Sequence, residues 1–237
     1  YDGKMQEFAM FNELLPDSDI LAIYNNQRAA VTDDSANSLN GYPVGVITGS
    51  DYQKLTPLTG AMDFNGEIDR YIDGPYASSM GVDGASARTF MCWAQSDDWS
   101  QDDVIWTLGT NATRKDWSMI LRSNGFKLNM WGDDLTWDDF TPTTNWFHIA
   151  ATYDGSRATK IYVNGRQRAS RTLAGDLNTT DDNPLRLGYH NGYNGNPWHG
   201  TIQEFAAFDE ALPSSDILAI YNNQFNGYKQ TDLGGNS

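Results

Sequence analysis

Seven of the eight tryptophans of this 237-residue chain fall into two groups by their neighbours. Trp99, Trp131, Trp137 and Trp198, together with Tyr193, lie in or beside polar, turn-rich stretches. Examples are Ser96-Asp97-Asp98-Trp99-Ser100, Trp131-Gly132-Asp133-Asp134 and His190-Asn191-Gly192-Tyr193-Asn194. Aromatic faces ringed by Asp and Asn suit stacking on a sugar ring and recognition of its hydroxyls, which makes these five the candidate ligand-binding residues. Trp93, Trp106 and Trp146 sit inside alternating patterns and are expected in the core. The acids offer a second chemistry. Asp69 with Asp73, Asp133 with Asp134, and Asp176-Leu177-Asn178 with Asp181 and Asp182 gather hard oxygen ligands of the kind Ca²⁺ takes. Asp69, Asp73, Asp133 and Asp134 are the candidate metal ligands, although none follows the twelve-residue helix-loop-helix spacing. The three histidines, His148, His190 and His199, have no nucleophile-elbow serine, and neither a His-Glu-x-x-His nor a Gly-Lys-Ser/Thr motif occurs.

Composition narrows the partners. Sixteen Lys and Arg against 31 Asp and Glu give a net charge of −15, which argues against nucleic acid. The longest apolar runs, such as Ile217 to Tyr221, fall far short of the roughly 20 residues a membrane helix needs, so no membrane insertion is expected. The opening Tyr1-Asp2-Gly3-Lys4 shows no charged and apolar leader pattern; a secretory signal would have been removed or would lie upstream. Cys92 is the single cysteine, excluding an internal disulfide, and its setting in Thr89-Phe90-Met91-Cys92-Trp93 reads as a buried small side chain.

The elements that must position these residues read as short strands. Asn145 to Tyr153 alternates, with Phe147, Ile149, Ala151 and Tyr153 on one face, and Lys160 to Val163 follows, closed by the hairpin pair Asn164-Gly165. Trp117 to Leu121 and Phe126 to Trp131 flank Asn124-Gly125 in the same way. Arg88 to Ala94, Val104 to Leu108, Leu185 to Tyr189 and Thr201 to Phe208 supply more, the last with Ile202, Ala206 and Phe208 expected on one face. No helical period persists for ten residues in this body, which points to an antiparallel sandwich. A short helix follows Leu212, with Pro213 at the cap, Asp216 in the first turn and an expected end at Asn222-Asn223.

Residues 1–27 and 198–224 are identical at 19 of 27 positions, at a constant offset of 197 and without a gap. The middle of the chain occurs once. A tandem array accounts for this, with 1–27 as the closing strand and short helix of a preceding or neighbouring repeat, 28–224 as one full domain and 225–237 as a lead-out segment. An unpaired copy would also expose a strand edge and the apolar face of Met5, Phe8, Phe11, Ile20 and Ile23.

With these motifs in view, the chain resembles the laminin-G-like, concanavalin-A-like jelly-roll modules. The carrying residues are Trp146 to Ser156, Ile161 to Arg166 and the closing Gly200-Thr201-Ile202-Gln203-Glu204-Phe205. Asp34 to Gly41, Ala61 to Gly66 and Arg88 to Trp93 match the opening strands. Gln203 departs from the acid that relatives often carry. The resemblance implies an all-β, antiparallel two-sheet jelly-roll sandwich with a short helix after the closing strand, and structural Ca²⁺ in its loops. Some relatives hydrolyse glycans with acids alternating on one strand; Phe64 to Tyr71 offers Glu67 and Asp69, but Tyr71 stands where a third acid is needed, so the chain is expected not to be an enzyme. The expected function is an extracellular binding or adhesion module recognising glycans or a protein surface. The other expectation is a building block of a fibre, filament or virion surface, joined through the duplicated unit to neighbouring repeats or copies of the same chain.

Overall fold

The computed structural model describes residues 42–44, 52–53, 61–99, 102–141, 144–190 and 197–232, with the backbone alone for 42–44, 52–53 and 226–232. The segment 1–27 and Tyr193 lie outside the described residues. Among the described residues, fourteen strands, numbered in chain order, form two antiparallel seven-stranded sheets. The first runs β1 (Tyr42–Val44), β4 (Tyr71–Asp73), β13 (Arg186–Leu187), β6 (Asp103–Thr107), β7 (Ser118–Arg122), β8 (Gly125–Asn129) and β9 (Leu135–Trp137). The second runs β12 (Arg166–Thr172), β11 (Ala158–Val163), β10 (Phe147–Tyr153), β5 (Arg88–Ser96), β14 (His199–Phe208), β3 (Ala61–Asn65) and β2 (Tyr52–Gln53). This is a jelly-roll sandwich. The last long strand, β14, lies between β5 and β3, so the body is closed by its C-terminal segment.

The expected alternation in β10 holds: Phe147, Ile149, Ala151 and Tyr153 join the core between the sheets, with Trp106, Trp117 and Cys92 fully buried beside them. Each fully buried aliphatic side chain such as Ile149 contributes about 1.5–3 kcal/mol relative to exposure. The opposite face of the second sheet is also buried, because helix α1 (Ser214–Asp232) lies across it. There Met91, Ala150, Tyr162 and Ile217 form a second apolar cluster with Ala206, Phe208, Leu212 and Ile220.

Two expectations change at this helix. β14 does not keep one face throughout: the register shifts between Gln203 and Ala206, so Ile202 and Phe205 face the inter-sheet core while Ala206 and Phe208 face the helix. One extra residue reverses the alternation, which periodicity alone cannot reveal. The helix also continues through Asn222-Asn223 to Asp232, and the boundary expected at 224/225 therefore falls inside it. Its N-terminus is as expected, the Pro213 carbonyl accepting the Asp216 and Ile217 N–H groups at 3.0 and 3.2 Å. The continuation has a tertiary cause: Tyr221 and Phe225 stack on Trp93, with centroids 5.5 and 6.4 Å away, and the Trp93 indole donates to Gln224 Oε1 at 2.8 Å.

Candidate binding site

Sheet edges β9 and β12 come together along one side of the sandwich and form a seam between the two sheets. On β9, Trp137 pairs across the ladder with Phe126 of β8, the rings stacked at 6.3 Å and 7°. Phe140 closes in at 5.8 Å from Trp137 and 5.0 Å from Phe126. The indole is half-buried and held rigidly from behind, a favourable arrangement for a contact ring. From the other sheet, the exposed Arg168 sets its guanidinium carbon 5.3 Å from the Trp137 centroid. Its position has a backbone cause. Ala169 pairs with Ile161 and Gln167 with Tyr162, leaving Arg168 as the extra residue of a β-bulge, and such residues are re-aimed out of the ladder. The seam thus joins a half-exposed indole to a five-donor cation.

One end of the seam is pinned by Asp133. Its carboxylate is 2% exposed, lies 2.7 Å from Arg171 and 3.6 Å from Arg114, and accepts the Ala174 N–H at 2.8 Å. Arg171 also donates to the Asp134 carbonyl at 2.6 Å, and Asp134 Oδ1 accepts the Met130 N–H at 2.8 Å. These bonds fix the turn in which Trp131 takes φ +55°. They also bear on the expected metal ligands. A Ca²⁺ ion at Asp133 would have to displace guanidinium groups that already neutralise the carboxylate. Asp73 is likewise held by Arg186, at 2.7 and 3.2 Å, and Asp176 by Arg157 at 2.7 Å. Asp69 is exposed in the turn after β3. Among the described residues no group of three or more His, Cys, Asp or Glu gathers as a metal site. Of the expected calcium ligands, Asp73 and Asp133 are thus bonded to arginines, Asp134 accepts a backbone N–H and Asp69 stands exposed.

The four expected aromatic contacts that lie among the described residues separate. Trp137 lies at the seam. Trp131 is half-buried in its turn, and Trp99 packs partly against the core. Trp198 is corrected outright: it is fully buried, edge-on to Phe147 at 6.5 Å, because it opens the strand that closes the sandwich. Arg168 was missed by the sequence reading; its available signal was the acid-free run Arg166-Gln167-Arg168-Ala169-Ser170-Arg171 in so acidic a chain. Glu67 and Asp69 occupy the turn that links the sheets and not an alternating strand, so the paired acids of a glycosidase do not form there.

Three other polar features have structural roles. Asp116, fully buried, accepts from Ser118 and Asn129 and lies 3.1 Å from His190 Nε2, tying together the ends of β7 and β8. His148 is pushed down to about 3 by burial and is neutral beneath the helix, edge-on to Trp93 at 5.5 Å. Glu204, at φ +51° in the β14 bulge, is pushed up to about 7 by burial and lines a cavity of about 200 Å³ with Phe64, Ile72 and Leu187. That volume is below the roughly 300 Å³ at which ligand pockets begin.

A laminin G-type family model, described as the concanavalin A-like lectin/glucanases superfamily, matches residues 65–218. No curated protein sequence matches the chain. Among solved structures the chain is similar to the binding domain of Paraclostridial Mosquitocidal Protein 1, with TM-score 0.63 and 16% identity over 82% of this chain and 50% of that one. It is similar to the binding domain of botulinum neurotoxin serotype G, with TM-score 0.61 and 14% identity over 81% of this chain and 48% of that one. It is also similar to domain 4 of AbnA, a GH43 extracellular arabinanase from Geobacillus stearothermophilus solved with arabinotriose, with TM-score 0.56 and 20% identity over 80% and 92%. The chain spans about half the length of the first two. At these identities the likeness is one of fold.

Proposed function

Since the chain belongs to the concanavalin A-like lectin/glucanases superfamily, we propose that it is a non-catalytic extracellular binding module that takes a glycan at the β9–β12 seam. The observation that carries this reading is the meeting of Trp137 and Arg168 across the two sheets at 5.3 Å. A braced indole offers apolar surface to a sugar ring, and a guanidinium offers a planar fork of donors to hydroxyl or carboxylate oxygens. The arabinotriose bound by the AbnA domain supports a saccharide ligand, and that enzyme's extracellular setting supports the location. The lack of alternating acids at Glu67 and Asp69 supports a binding role over hydrolysis.

A glycan array tests the proposal. Trp137→Ala and Arg168→Ala are each expected to weaken the wild-type signal by about tenfold or more, equivalent to ~1.4 kcal/mol. EDTA is expected to leave it unchanged, since the buried Asp133 carboxylate at the seam is bonded to arginines. Wild-type signal from both variants would dispose of the seam as the site. A second reading, a structural building block joined through the duplicated unit, is favoured by the recurrence at 1–27 of residues with which 198–224 docks. Mass that grows with concentration supports it, and a strict monomer counts against it.

A further inference from the structure

The slot that receives the closing segment makes specific demands, and a second part of the chain meets them. β14 enters between β5 and β3 with Gly200 at φ +140°, where an added Cβ would stand 2.1 Å from the Gln95 carbonyl oxygen. Phe205 then packs edge-on to Phe90 and Trp106, at 5.6 and 5.9 Å. The Leu212 N–H donates to Thr89 Oγ1 at 2.8 Å, and Ile217 is fully buried on the outer face. Gln224 Oε1 closes the contact by accepting from Trp93. Gly3, Phe8, Leu15, Ile20 and Gln27 stand at the corresponding positions of the N-terminal copy. Where the copies differ, Met10, Asn12 and Asp17 replace the exposed Ala207, Asp209 and Ser214. Tyr1 and Met5 replace the buried Trp198 and Ile202 with apolar bulk, and Lys4 replaces the buried Thr201.

We infer that the slot between β5 and β3 accepts residues 1–27 of the same chain in place of 198–224, so that one body has two interchangeable closures. The connection allows it. Residues 28–41, between the N-terminal copy and β1, reach ~45 Å when extended, more than the roughly 10 Å between stacked sheets that they have to cross. Lys4 and Tyr1 make the N-terminal copy the weaker occupant, consistent with 198–224 being the one seated. The inference goes beyond the binding role and holds whichever ligand the seam takes.

Thermal melts and mass measurements of the intact chain and three variants test it. Gly200→Val excludes the C-terminal copy from the slot, Gly3→Val excludes the N-terminal copy, and the double variant excludes both. Each single variant is expected to keep a cooperative transition as a monomer, with Gly200→Val lowered by about 5–10 °C and Gly3→Val unchanged, while the double variant loses it. A synthetic peptide of residues 1–27 is expected to restore the double variant's transition, and its Gly3→Val form is not. A Gly200→Val chain that melts like the double variant overturns the inference, as does failure of the peptide to restore folding. A Gly200→Val chain that folds only as a dimer assigns the seat to a second copy and overturns the same-chain claim.

Discussion

At the residue scale, burial sets the charge states more than pairwise contact does. Glu204 is raised from the ordinary carboxylate value to about 7 by desolvation in its bulge. A raised acid binds more protons folded than unfolded, so its contribution to stability is present at low pH and is lost as pH rises from about 4.5 through 7. Glu204→Gln is therefore expected to match wild type near about pH 4 and to exceed it in urea-unfolding stability above about pH 7. A variant no more stable than wild type above that pH would show the carboxylate to be solvated. Asp103, raised to about 8 chiefly by burial, acts in the same direction. His148, lowered by burial to about 3, acts oppositely: its neutral form is favoured in the fold, so stability falls as pH drops below about 6.5. Comparing the two proteins at each pH isolates the Glu204 contribution.

At the scale of elements, two bulges and one turn do most of the positioning. The bulge in β12 re-aims Arg168 onto Trp137, and the bulge in β14 divides its side chains between the inter-sheet core and the helix. The turn is Asn164-Gly165, with φ +51° and +73°, as a tight hairpin between right-twisted strands requires. Helix α1 passes directly over it: a Cβ on Gly165 would lie 2.9 Å from Leu218 Cδ1 and from Tyr221 Cδ1. Gly165→Ala therefore strains the backbone and lifts the helix, and is expected to cost more than ~1 kcal/mol in urea unfolding. Because Gly165 belongs to the body and Leu21 and Tyr24 repeat Leu218 and Tyr221, the loss is expected whichever copy is seated. Stability equal to wild type would mean that the helix does not press on the turn.

At the scale of the molecule, a net charge of −15 in 237 residues means that folding gathers like charges. Moderate salt screens that repulsion with a Debye length near 10 Å at 0.1 M, so the melting midpoint is expected to rise from low salt to about 0.5 M. A midpoint that falls would show that the arginine–aspartate pairs at the seam outweigh the repulsion. The sequence by itself determined the all-β class, the inward face of β10, the Asn-Gly hairpins and the burial of Cys92, because alternation and turn chemistry are local and each residue carries its own signal. It also singled out Trp137 as a candidate contact on the strength of its polar neighbours, and the proposed seam is built on that residue. Only the tertiary structure decided that Trp198 closes the core, that arginines from distant strands neutralise Asp73 and Asp133, and that the helix runs on past Asn222-Asn223. Bulges and cross-sheet pairs depend on register between strands far apart in the chain, and a shift of one residue leaves the local pattern unchanged while reversing which side chains meet.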